Sequence, residues 1–182
     1  MQNPMTRELA TRRALVRQVV TGAAVALVGS TALAISAWIK VPMLPVPMTM
    51  QTAVVLLLAA GLGPRLGAAA VGAYILEGML GLPVLAGVSI TGATAGYLAG
   101  FLLASVAVGL AAERGWMHRL PMLLLVLAAG EVLIYAPGLA WLHFGLGLSV
   151  PATVAGGLLA FLPGEVVKLA LVGALLGAAR TR

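Results

Sequence analysis

Phe161–Leu169 reads FLPGEVVKL, with a carboxylate (Glu165) and an ammonium (Lys168) three residues apart in an otherwise apolar run. Pro163 and Gly164 mark the start of a helix, because proline is tolerated in a first turn, where its missing N–H loses no partner. Residues at i and i+3 share a helix face, so both charges address one spot. Inside a membrane span such groups are costly, and they usually mark ligand or ion paths. The other reading is a self-neutralising pair held in a crowded bundle.

The solvent decides between a water-soluble and a membrane fold. The 182 residues are 62% hydrophobic and 9% charged, against about 25% charged in soluble domains. With a mean hydropathy of +1.10, the chain cannot cover a water-facing surface. It is an integral membrane protein, with length for one bundle and no room for a soluble nucleotide-binding domain. Having no cysteine, it forms no disulfide or thiolate metal site. The net charge of +6 comes from basic residues scattered singly between apolar runs, which points to topology rather than nucleic acid. Arg7, Arg12, Arg13 and Arg17 precede an apolar run that is too long for a signal peptide, from Val19 to Ile39, so it is read as a retained span.

A span needs about 20 residues, and length with Pro/Gly punctuation places six of them. They cover Leu15–Trp38, Thr49–Gly61, Leu66–Leu80, Ala93–Ala112, Leu120–Leu142 and Pro163–Ala179. KVPMLPVP (Lys40–Pro47) is an extended link, GLGPR (Gly61–Arg65) a tight turn, and Gly81–Thr91 a loop. Gly145–Pro163 reads as an irregular connection broken by Gly147, Pro151 and Gly156–Gly157. This gives an all-α bundle of six transmembrane helices with both termini on one side. Arg7, Arg12, Arg13, Arg17, Arg65, Arg114, Arg119, Arg180 and Arg182 all fall on that side, which the positive-inside rule makes cytoplasmic.

Glu165 and Lys168 then lie near the outer surface, where the three irregular segments converge. Irregular backbone at membrane depth is tolerated where it lines a cavity or is buried in protein. Gln51, Thr91, Thr94, Tyr97, Tyr135 and Trp141 stand at the same level as candidate ligand contacts. For Gln51 the alternative is a helix cap or an interhelical hydrogen bond. For the Gly92/Gly96 region it is close helix packing, and for the aromatic residues an interfacial belt. Glu77 reads as a helix-end group reaching water, and Glu131 as a packed hydrogen-bonding group or a proton relay. In the first span, Ala26, Ser30 and Ala34, with Ala32 and Ser36 beside them, make a smooth face. It serves either packing within the bundle or a partner membrane helix.

Five segments in order resemble BioY, the biotin-binding S component of energy-coupling-factor (ECF) transporters. They are VPMLPVPMTMQT (Val41–Thr52), GLGPRLGAAAVGAYILEGMLGLPVLAG (Gly61–Gly87), GATAGYLAGF (Gly92–Phe101), IYAPGLAWL (Ile134–Leu142) and FLPGEVVK (Phe161–Lys168). The resemblance implies one transmembrane substrate-binding domain over 1–182, with a basic cytoplasmic segment at 1–14. It implies outer-side biotin binding in the cell membrane, with a transmembrane coupling protein and a pair of cytoplasmic ATPases as partners. Lipid surrounds the bundle, and self-association when alone stays open.

Under the resemblance, Glu165 accepts ureido N–H bonds, Gln51 donates to the ureido oxygen, and Lys168 either neutralises Glu165 or donates to the ligand. Tyr97 and Trp141 supply apolar walls, and the smooth face of the first span meets the coupling protein. Glu165 stands where the family usually has aspartate, Ala93 and Ala95 depart from its GPTGGY, and the loop before Gly92 is short. No cofactor is expected. An intramembrane enzyme lacks an HExxH helix, an aspartyl pair or a nucleotide motif to support it. A self-sufficient or proton-coupled transporter, and an S component for another vitamin, are the remaining alternatives.

Overall fold

The computed structural model describes residues 4–180; Arg182 lies outside them, as do the side chains of Arg7 and Arg180. Among the described residues, five helices are long and apolar enough to cross a membrane: Thr11–Trp38, Gln51–Met79, Ala95–Glu113, Leu120–Gly145 and Val150–Ala179. The first belongs to α1 (Pro4–Trp38), which begins well before Leu15. Residues 11–21 of α1 are exposed all round, and burial begins only where small residues recur.

The proline-rich link is non-helical as expected. Its ends pair as a minimal hairpin, β1 (Lys40–Val41) against β2 (Met48–Thr49), with Lys40 opposite Thr49. α2 (Gln51–Met79) follows directly, and its helical geometry breaks at one residue, Gly63 (φ 77, ψ 178). That φ is open to glycine at little cost, and Pro64 restarts the helix. The break is a reversal. Gln51 Nε2 donates to Tyr74 Oη at 2.8 Å, whereas a straight helix would hold residues 23 apart in sequence about 35 Å away. A Cβ on Gly67 would lie 3.1 Å from Ala59 Cα, so the two arms touch backbone to backbone.

Close approach through glycine recurs between α3 (Ala95–Glu113) and α4 (Leu120–Ala140). A Cβ on Gly100 would lie 2.5 Å from the Ile134 carbonyl oxygen, and one on Gly96 would overlap the Pro137 carbonyl. Small residues four apart give this fit without a hydrophobic driving force from water. α4 runs on through a wide π turn, Trp141–Gly145.

The connection to the last helix departs from expectation. Val150–Leu159 is helical, as α5 (Val150–Val154) and a second π turn (Ala155–Leu159), leading into α6 (Leu162–Arg180). Ser149 caps α5 by accepting from Ala152 N, and Pro151 sits in its first turn, where it starts a helix rather than breaking one. Gly156 and Gly157 are contact points: a Cβ there would press on Pro45 and on Leu142.

Candidate functional site

α6 displays its charges by simple periodicity. Phe161, Glu165, Lys168 and Val172 are buried, while Val166 (66% exposed) and Val167 (68%) point outward. Glu165 and Lys168 are each 5% exposed, and Lys168 Nζ meets Glu165 Oε1 at 2.7 Å. The same oxygen accepts from Tyr135 Oη at 2.9 Å. Oε2 accepts from Thr52 Oγ1 at 3.0 Å, and that hydroxyl in turn accepts from Lys168 at 3.3 Å. A carboxylate has about four acceptor sites, so three donors leave one open on Oε2. Buried charges persist when paired and hydrogen-bonded in this way.

Glu165 lines a cavity whose non-atom space, counting the open solvent at its mouth, is about 600 Å³. Of the residues expected at a site, Gln51, Thr94, Tyr97, Tyr135 and Glu165 come together on its wall. Gln51 is held between Tyr74 and Thr49. Tyr97 donates to the Gly157 carbonyl at 2.7 Å and lines the cavity. Tyr97, Tyr135 and Phe161 form an edge-on aromatic series, with centroids 5.6 and 6.0 Å apart. Such contacts fix ring orientation as well as burying area.

Three expected contacts stand elsewhere. Lys168 lies behind Glu165 and does not line the cavity. Trp141 turns its Nε1 to the Gly92 carbonyl at 2.9 Å and anchors the loop before α3. Thr91 is exposed and bonds Ser89 within that loop. Lys40, Tyr74, Phe101 and Phe161 line the cavity without having been singled out. Lys40 carried a signal, since it is the single basic residue assigned to an outer link.

The remaining carboxylates differ from their expected roles. Glu77 is half-buried and accepts from Ser30 Oγ of α1. Glu131 is buried, and neither carboxylate oxygen has a hydrogen-bond partner. Ala26, Ser30 and Ser36 on α1 are covered by the chain itself, and a Cβ on Gly29 would meet Ala70 at 2.6 Å. Ala32 and Ala34 are half-buried. Ala24, Leu27, Val28 and Thr31 are among the exposed residues of this stretch.

Residues 5–182 match the sequence profile of the BioY family. A biotin transporter BioY of Thermotoga maritima is 36% identical over 140 residues, covering 74% of this chain and 81% of that protein. One from Rhizobium etli is 35% identical over 153 residues, covering 78% and 81%. The fold is similar to the crystal structure of the S-component for biotin from an ECF-type ABC transporter, with TM-score 0.74 and 23% identity. That superposition covers 91% of this chain and 94% of the other. The family profile spans nearly all of the chain and the fold agrees with it: the chain belongs to the BioY family.

Proposed function

We propose that this chain binds biotin in the cavity between Gln51 and Glu165 and delivers it across the cytoplasmic membrane as the S component of an ECF-type transporter. A separate coupling protein and a pair of ATPases supply the energy. One observation carries the reading: a neutralised carboxylate with an acceptor site to spare faces a cavity walled by Tyr97, Tyr135 and Phe161. Biotin's ureido N–H groups need such an acceptor, and its sulfur-containing ring needs apolar walls. The second amide hydrogen of Gln51 and the Thr94 hydroxyl are the donors offered to the ureido oxygen. The BioY relatives, named as biotin transporters, support the same ligand.

The reading places six crossings in the bilayer, the two arms of α2 each making one. At about 18 and 24 Å they are shorter than a hydrocarbon core of about 30 Å, so the bilayer thins around them. Arg65, Arg114 and Arg119 stand at the turns opposite the cavity, which puts that end in the cytoplasm and the cavity outside. Exposed Val28, Ile35, Leu125, Val132, Val166 and Val167 face lipid.

Equilibrium binding of labelled biotin to the purified protein in detergent, with unlabelled vitamins as competitors, tests the proposal. Saturable binding displaced by biotin alone is expected. Absence of binding in monodisperse, folded protein overturns it.

A further inference from the structure

Lys40 is the one cation lining the cavity among the described residues, and the function proposed above leaves it without a task. Its ammonium donates to the Ala86 carbonyl at 2.7 Å and stands 5.6 Å from the Trp38 ring centroid. No carboxylate lies within 4.0 Å of it among the described residues, where the ion pairs are Arg12–Glu8 and Lys168–Glu165. The two charges on the cavity wall are therefore unequal. Glu165 is neutralised from behind by Lys168, whereas Lys40 has no counter-ion among the described residues.

Their placement is also unequal. Lys40 is exposed and Glu165 is 5% exposed, which puts the lysine at the mouth and the carboxylate at the floor. The wall between them is short. Lys40 faces Thr49 across the β1–β2 hairpin, and Thr52, three residues further on, bonds Glu165. A ligand seated with its polar head on Glu165 thus presents its far end to Lys40. An ammonium has three donors and Ala86 uses one, so two are open to an incoming anion.

We propose that Lys40 selects ligands bearing a carboxylate at the end remote from Glu165, pairing with that carboxylate while it holds the Ala86 carbonyl. The assignment rests on the biotin reading, in which the ureido head takes the floor and the valerate carboxylate is the remote end. It adds a mechanical role. Ala86 lies between Leu85 and Val88, which line the cavity from the loop after α2, and it has a positive φ of 51. A carboxylate on Lys40 ties that loop to the ligand through a single side chain.

The test compares competition by biotin and by its neutral primary amide in wild type, Lys40→Met and Lys40→Arg. Wild type should prefer the acid by about 10- to 100-fold, the range that a hydrogen bond to a charged group supplies. Lys40→Met should reduce that ratio to near one with the amide affinity unchanged, and Lys40→Arg should retain most of it. Equal affinity for acid and amide in wild type overturns the proposal while leaving the biotin site standing. So does an unchanged ratio in Lys40→Met. Failure of folded wild type to bind either compound overturns both.

Discussion

Glu165 and Lys168 stand 2.7 Å apart on one face of α6, yet only Glu165 reaches the cavity. Lys168 therefore acts on a ligand through the carboxylate it neutralises. Replacing Lys168 by methionine leaves a buried charge without its partner, a change that typically costs about 3–5 kcal/mol. Thermal unfolding in detergent should show a large fall in Tm for Lys168→Met. The double variant with Glu165→Gln should recover part of it, since removing both charges removes the mismatch. Equal Tm values for the single variant and wild type would contradict a tight pair.

Glu165→Gln has a different signature. It removes the anion that accepts the ureido protons while preserving shape, so biotin affinity should fall by about 10- to 100-fold. Unchanged affinity in this variant would remove Glu165 from the site.

Tyr135→Phe keeps the aromatic contacts with Tyr97 and Phe161 and deletes the hydroxyl that donates to Glu165. A hydrogen bond to a charged group contributes about 1.5–3 kcal/mol, so Tm should drop modestly and biotin binding should weaken. A Tm at or above wild type would show that the hydroxyl does not hold the carboxylate.

Glu131 offers the opposite case. With both oxygens unpaired in a buried setting beside Glu165 and Lys168, it is a desolvated polar group, and substituting leucine also relieves its repulsion with Glu165. Glu131→Leu should match or exceed wild-type Tm and retain biotin binding. A fall of several degrees would show that Glu131 has a partner after all.

Gly100→Val tests the α3–α4 contact. The new Cβ would stand 2.5 Å from the Ile134 carbonyl oxygen, where backbone cannot yield as a side chain can. Overpacking typically costs about 1–3 kcal/mol, and this variant belongs at the upper end. Yield of folded protein and Tm should both fall. A stable variant would mean that the helices separate at little cost.

Much of the fold was legible because a bilayer constrains sequence strongly. Apolar length marked out membrane-spanning helices, of which five stand among the described residues, and GLGPR (Gly61–Arg65), read as a tight turn, contains the break at Gly63. The i, i+3 spacing of Glu165 and Lys168 placed their pairing. The sequence was less clear where one residue type serves two physical purposes. Pro151, Gly156 and Gly157 look like breakers, but proline also opens helices and glycine also permits contact, and both uses occur here. Ser30 belongs to a smooth stripe, yet its hydroxyl is spent on Glu77. Lys40 and Trp141 depend on loop geometry that no helical period encodes: one lines the cavity from the link after α1, and the other donates to the Gly92 carbonyl of the loop before α3.

The one-residue break at Gly63 makes the two arms of α2 a pair of levers. Gln51 and Tyr74 form the clasp at their far ends, about 18 Å from the fulcrum at 1.5 Å per residue. A rotation of roughly 10° at Gly63 moves that end by roughly 3 Å, enough to part a hydrogen bond that starts at 2.8 Å. The bend at Gly63, beside Arg65, and the separation of Gln51 from Tyr74 at the cavity are thus a single mechanical variable.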